Sequence, residues 1–280
     1  PYSTIYQICG GPSGINVDIE NLKIEGFHFN GVQNPTVNNN NGDYIGFIKV
    51  LNTCGNVNAN VNAISVINVE VDDFGMGDSD PFHSDDDDTP YFLSWMYVEG
   101  AVTVSVTDSI FSQFSANPIF LNTITGDITI SKTHFEEIVT WFSVINVWRD
   151  PTIAPVVNNN IIIKDCLFKT ISVCSHDIKG EIRTPKWWLV DDHYKVYEYG
   201  AAIDVMYSGN EDIPTYMATP ANRALIDGVG FSQFTVSEGS TFEDIAGPGS
   251  GGSIRISDPT IKINIDGSID KIIVKNSKAK

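Results

Sequence analysis

Val104-Ser105-Val106-Thr107-Asp108-Ser109-Ile110-Phe111-Ser112-Gln113-Phe114 is answered, 24 residues on, by Ile128-Thr129-Ile130-Ser131-Lys132-Thr133-His134-Phe135-Glu136-Glu137-Ile138. Both contain one nine-residue phrase: an aliphatic residue, two spacers, a small or apolar residue, a spacer, Phe, two spacers and another apolar residue. Working outward, the phrase recurs as Ile24-x-x-Phe27-x-Phe29-x-x-Val32, Val66-x-x-Val69-x-Val71-x-x-Phe74 and Ile163-x-x-Cys166-x-Phe168-x-x-Ile171. A sixth copy, from Val236 through Phe242 to Ile245, holds one extra residue, which reads as a β-bulge. A phrase repeated at fixed offsets signals stacked copies of one supersecondary unit.

Val, Ile, Phe and Thr dominate the phrase and alternate with period two, which is strand chemistry. A second strand-like segment follows each copy: Tyr44 to Leu51, Tyr91 to Val98, Pro118 to Ile124, Trp141 to Trp148, Gly200 to Tyr207 and Gly252 to Ser257. Turns rich in Gly, Asn or Asp, such as Gly126-Asp127 and Asn158-Asn159-Asn160, then lead to the next phrase. The unit therefore reads as strand, short turn, strand, turn, with the phrase as the first strand. A coil with three short faces needs roughly 20 to 25 residues at about 3.3 Å per residue. The predicted fold is all-β: a single right-handed parallel β-helix (solenoid) of about seven coils with lateral loop insertions, about 34 Å long at ~4.8 Å per coil. Thr260 to Val274 supplies the last coil. Ile24, Val66, Val106, Ile130, Ile163 and Val236 should form one inward column, and Phe29, Val71, Phe111, Phe135, Phe168 and Phe242 another. An antiparallel sandwich also gives many short strands, but has no reason to repeat residue types at the same offsets.

The formal net charge of −18 and pI near 4.4 argue against nucleic acid, which needs clustered Lys and Arg, and disfavour an anionic membrane surface. No apolar run is long enough to span a bilayer as a helix. The chain opens at Pro1 without Met or signal peptide and reads as a piece of a longer polypeptide. Its ends would join further β-helix, another domain or a symmetry mate. Cys9, Cys54, Cys166 and Cys174 have no zinc-site spacing; Cys166 and Cys174 flank one turn and either pair or stay free. The sole Asn-x-Thr triplet, Asn34-Pro35-Thr36, is disqualified by its Pro.

Phe242-Glu243-Asp244-Ile245-Ala246 followed by Gly251-Gly252-Ser253-Ile254 resembles the Phe-x-x-Asn and Gly-Gly-Ala-Ile repeats of polymorphic outer-membrane proteins. Gly200-Ala201-Ala202-Ile203 is a second copy of the glycine half; at the motif's Asn this chain has Ile, Phe or Val. More widely the chain resembles the right-handed parallel β-helix (pectate-lyase-like) superfamily from about Gly14 to Val274. The resemblance implies a secreted or surface-exposed protein, at the cell surface or on a virion, of adhesin or fibre type.

The coils are interrupted at one corner by residues 33–43, 75–89 and 172–199, and at a second by 149–157 and 208–228. Insertions at one corner stack into a lateral surface, where binding is expected. The first candidate site is Asp78, Asp80, Asp85, Asp86, Asp87 and Asp88: hard oxygen ligands suited to calcium, or a solvated acidic loop tip. Trp187, Trp188, Asp191, Asp192 and Tyr194 form the second, where aromatic faces beside carboxylates suit a sugar ring or a contact with a neighbouring subunit. Catalytic residues are not identified. Asp72, Asp73, Asp108, Glu136 and Glu137 supply carboxylates, but at turn or solvent-facing positions, and the signatures of polysaccharide hydrolases are not assembled in order. His28, His83, His134, His176 and His193 show no triad or metal spacing. The expected function is a structural or adhesive module making glycan or protein contacts through a lateral loop face. A carbohydrate-active enzyme of the same superfamily is the alternative.

Overall fold

The computed structural model describes residues 6–8, 17–31, 45–51, 59–75, 93–100, 102–140, 143–149, 159–173, 201–207, 232–237, 239–247, 253–256, 261–265, 273–275 and 278–279. Among them every regular element is a β-strand. Sheet 1 contains β3 (Leu22–Glu25), β7 (Ala63–Ile67), β10 (Thr103–Thr107), β13 (Ile128–Ser131), β16 (Asn160–Lys164), β19 (Ser232–Val236) and β22 (Ile261–Ile265). Sheet 2 contains β4 (His28–Asn30), β8 (Glu70–Gly75), β11 (Ile110–Ser115), β14 (His134–Thr140), β17 (Leu167–Val173), β20 (Thr241–Gly247) and β23 (Ile273–Lys275), with β24 (Lys278–Ala279) also on β20. Sheet 3 contains β1 (Tyr6–Ile8), β5 (Ile45–Leu51), β9 (Leu93–Glu99), β12 (Asn117–Asn122), β15 (Ser143–Arg149), β18 (Ala201–Tyr207) and β21 (Ile254–Ile256). A separate parallel pair joins β2 (Val17–Ile19) to β6 (Ala59–Val61).

All neighbours within the sheets are parallel, and from β7 to β23 the chain visits sheets 1, 2 and 3 in unvarying order. That order is compatible with a solenoid. The two expected columns exist: Ile24, Val66, Val106, Ile130, Ile163 and Val236 are successive register partners in sheet 1. Phe29, Val71, Phe111, Phe135, Phe168 and Phe242 are successive partners in sheet 2. The rings of Phe111, Phe135, Phe168 and Phe242 stack nearly parallel, with centroids 5.2, 5.0 and 4.8 Å apart. Both columns join Ile119, Ile145 and Ile203 of sheet 3 in one buried apolar cluster. Each buried side chain of this size contributes roughly 1.5–3 kcal/mol. The last residues of the two glycine halves also align, Ile203 pairing with Ile254.

Each repeat contributes three strands, so the phrase is not one first strand: it begins in sheet 1, turns a corner and ends in sheet 2. The corner is made at the third position by one left-handed residue: Gly26, Asn68, Asp108, Lys132 and Asp165, with φ of 69, 50, 51, 48 and 53°. The small fourth residue then points inward and closes the turn. Ser109 Oγ donates to the Thr107 carbonyl at 2.8 Å, Thr133 Oγ1 to that of Ser131 at 2.9 Å, and Cys166 Sγ to that of Lys164 at 3.3 Å. Cys166 is therefore a free, buried thiol and does not pair with Cys174. Phe27 is too large for this position and is 56% exposed.

A second left-handed residue occupies the eighth position: Gly31, Asp73, Gln113, Glu137, Thr170 and Asp244, with φ of 53 to 68°. It drops out of the ladder, since Phe111, Ser112 and Phe114 pair with Phe135, Glu136 and Ile138 while Gln113 and Glu137 do not. Strict alternation would turn residues three apart to opposite faces. The left-handed residue restores both Phe111 and Phe114 to the core, where each is buried. The extra residue of the sixth copy is not a bulge within a strand. Val236 pairs with Ile163 and Phe242 with Phe168, so it is absorbed in the intervening turn. Gly239 there has φ +89°, and a Cβ on it would stand 2.0 Å from Asp165 Oδ1.

Candidate functional site

The three sheets are not equivalent at their borders. Sheet 1 passes to sheet 2 through tight corners in all coils but the last, where residues 266–272 intervene. The longest connections, residues 31–44, 76–92, 174–200 and 208–231, all enter or leave sheet 3. The first three enter it and the fourth leaves it; Gly75, Ser172 and Val173 belong to the preceding strands. Asp78, Asp80, Asp85, Asp86, Asp87 and Asp88 lie outside the described residues, as do Trp187, Trp188, Asp191, Asp192 and Tyr194. What can be built from described residues is the sheet face that these connections flank.

In sheet 3, Met96, Val98, Ile119, Leu121, Ile145, Val147, Ile203 and Val205 belong to the core cluster. Strand alternation turns the intervening side chains outward. Register then aligns two outward columns: Lys49, Tyr97, Phe120, Asn146, Asp204 and Arg255, beside Glu99, Asn122 and Trp148. Although they point away from the core, Tyr97, Phe120, Asn146 and Asp204 are at most 1% exposed. Buried polar groups are tolerated only when partnered.

At the upper part of this face Tyr97 Oη donates to Glu99 Oε2 at 2.7 Å, and Asn122 Nδ2 lies 3.0 Å from that hydroxyl and 3.1 Å from the carboxylate. Thr123 Oγ1 fixes the carboxamide by donating to Asn122 Oδ1 at 3.1 Å. Aromatic rings continue the surface: Tyr97 stacks on Phe120 at 5.5 Å, Phe120 meets Trp148 edge-on at 5.0 Å, and Lys49 Nζ lies 5.7 Å over the Tyr97 ring. Glu99, Asn122 and Trp148 are half-buried, so a carboxylate, a carboxamide and an indole share one accessible rim. This chemistry suits hydroxyl donors on a flat ligand.

Lower on the face, Arg255 Nη1 donates to Asp204 Oδ2 at 2.9 Å, the two side chains being 8% and 1% exposed. Burial pushes the Asp204 carboxyl up to about 6, against the opposing pull of Arg255. Among the described residues its Oδ1 has no hydrogen-bond partner. Glu99 and Asp204 stand three strands apart, about 14 Å at ~4.8 Å per strand, beyond the roughly 5–10 Å that glycoside hydrolysis uses.

The carboxylates of sheets 1 and 2 have other roles. Asp73, Asp108 and Glu137 occupy left-handed positions. Asp72 accepts from Ser112 Oγ at 2.8 Å within an outward column that continues to Glu136. His28 lies 3.8 Å from the exposed Glu70, and His134 3.7 Å from the half-buried Glu136. Among the described residues no group of three or more His, Cys, Asp or Glu could hold a metal ion, and no helix is long and apolar enough to cross a membrane. The Tyr97–Glu99–Asn122 group escapes a repeat-based reading because its members share no chemistry with their copies in other coils. Only register brings them together. No family model matches this chain, and no curated protein or solved structure does either.

Proposed function

We propose that the three sheets close into one right-handed parallel β-helix that works as an adhesive surface module, binding a glycan along the outward face of sheet 3. Right-handed crossovers between parallel strands are the strong rule, and the single apolar cluster joining all three sheets fits a closed coil. The observation that carries the ligand reading is the half-buried Glu99, Asn122 and Trp148 rim on the sheet flanked by the longest connections. Glu99 and Asn122 would hold ring hydroxyls while the indole covers an apolar sugar face. A ligand of this kind would suit a module outside a cell or on a virion, contacting glycans or other surface proteins.

The test is a glycan array with the intact chain, followed by titration of the best ligand against Trp148→Ala and Glu99→Gln. Each variant should weaken binding about tenfold, roughly 1.4 kcal/mol. An array with no ligand, or variants that bind as the parent does, would remove the glycan reading. Turnover of polygalacturonate or related polymers, abolished by Glu99→Gln, would replace adhesion with catalysis.

A further inference from the structure

Asn146 and Asp204 are register partners on β15 and β18, 0% and 1% exposed, and on each the Oδ1 atom has no hydrogen-bond partner among the described residues. Parallel pairing sets the two side chains about 4.8 Å apart on one face. A buried polar atom without a partner is costly, and two acceptors side by side also repel.

The other polar atoms of the two groups are committed. Asn146 Nδ2 donates to the Ser143 carbonyl at 3.0 Å, which fixes the carboxamide: turned over, it would set oxygen against oxygen there. Asp204 Oδ2 accepts from Arg255 Nη1 at 2.9 Å on the β21 side, which leaves Oδ1 for the neighbour on the β15 side. An ionised Asp204 has no hydrogen to offer Asn146. A protonated one does, and a single O–H donated from Asp204 Oδ1 to Asn146 Oδ1 satisfies both atoms at once.

We propose that this proton bridge joins β15 to β18 and makes the outward face of sheet 3 a pH-sensitive joint, closed while Asp204 holds its proton and loosened to two opposed acceptors when the proton leaves. Arg255 on β21 is the charged group that faces the carboxyl. Among the described side chains β15 carries no charge. The strands β17 and β20 also touch β18, but their charged residues Lys169, Glu243 and Asp244 lie on the solvent side of sheet 2, next to the buried Phe168, Phe242 and Ile245. Burial pushes the Asp204 carboxyl up to about 6 against the pull of Arg255, so the bridge persists where an ordinary Asp has lost its proton. Trp148 lies two residues beyond Asn146 on β15, which sets the joint beside the Glu99, Asn122 and Trp148 rim; the bridge itself does not depend on a ligand there.

The test therefore needs no ligand. Asn146→Leu keeps the branched outline of the side chain and removes the acceptor. In urea unfolding it should lower the folding equilibrium constant of the parent roughly two- to tenfold more at about pH 4.5 than at about pH 8. In Asp204→Asn a carboxamide N–H takes the place of the acid O–H, so Asn146→Leu should there cost the same at both pH values. Hydrogen exchange on the intact parent gives an independent reading, should Asn146→Leu not fold. After correction for the intrinsic rate, amides of β15 and β18 should lose protection as pH rises through about 6, and keep it in Asp204→Asn. A cost of Asn146→Leu equal at both pH values in the parent, or larger at the higher one as a bridging water would give, overturns the proposal. So does exchange in the parent that ignores this pH range.

Discussion

Thr170 and Lys169 are neighbours on β17, yet replacing each by Gly should move stability in opposite directions. Thr170 holds φ +54° although it is β-branched, and neither side chain is fully buried. A left-handed conformation costs a non-glycine residue roughly 1–2 kcal/mol. Thr170→Gly removes that cost but adds about 0.5–1 kcal/mol of backbone entropy lost on folding. The net is a gain of roughly 0.5–1 kcal/mol. Lys169→Gly meets the entropic cost with no strain to relieve, and should lose about 0.5–1 kcal/mol. The entropic cost is common to both variants, so their difference isolates the left-handed strain, about 1–2 kcal/mol. Urea unfolding of both variants and the parent measures it as a difference in midpoint at constant slope. If Thr170→Gly unfolds no later than Lys169→Gly, the eighth position of the phrase does not need a left-handed residue. The account of how Phe168 and Ile171 both reach the core then fails.

Three further outcomes follow from buried groups. Asp204 has a folded value of about 6, above its ordinary 3.8, so the native chain holds this proton more tightly than the unfolded one. Its contribution is therefore fully present below pH about 4 and is lost as pH rises through about 6, on the order of 2–3 kcal/mol. Unfolding midpoints across that window should show the decline in the parent and a flatter profile in Asp204→Asn; identical profiles would contradict it. Burial pushes the Cys166 thiol up to about 11, so iodoacetamide at pH 8 should leave it unmodified in the native chain and label it in urea. Fast native labelling would mean that the corner opens. Phe168→Ala removes a ring stacked at 5.0 Å on Phe135 and 4.8 Å on Phe242 and should cost about 3–5 kcal/mol by urea denaturation. A loss below about 1 kcal/mol would show that the stack collapses around the gap.

The inward columns were legible because burial demands the same answer in every repeat: an aliphatic at Val106, Ile130 and Ile163, a Phe at Phe111, Phe135 and Phe168. The corner was not. It needs only one left-handed residue, and while Asn68 and Asp108 carry turn chemistry, Lys132 does not. Neither do Gln113, Glu137 and Thr170 at the eighth position. At these sites the parallel ladder above and below decides the backbone against local preference, so no residue type announces it. The same blindness hid the outward columns of sheet 3. Tyr97, Phe120, Asn146 and Asp204 are consecutive partners with unrelated chemistry, and a search for repetition discards such positions.

That contrast explains where variation could accumulate in this fold. Between sheets 1 and 2 the turn is closed by a buried side chain, Ser109, Thr133 or Cys166, bonded to a carbonyl two residues back. Added residues there must still bring the following strand into register, and Gly239 shows the constraint: in the turn with one extra residue it holds φ +89°, and a Cβ on it would press on the Asp165 side chain. Among the described residues no such pin recurs at every border of sheet 3, whose connections run from the single residue Ala116 to the 27 residues 174–200. The longest connections therefore enter or leave one sheet, whose outward residues include the buried pair Asp204 and Arg255. The two sheets whose corners are fixed hold the strands in register; the sheet with the longer connections is the one that carries the proposed ligand face.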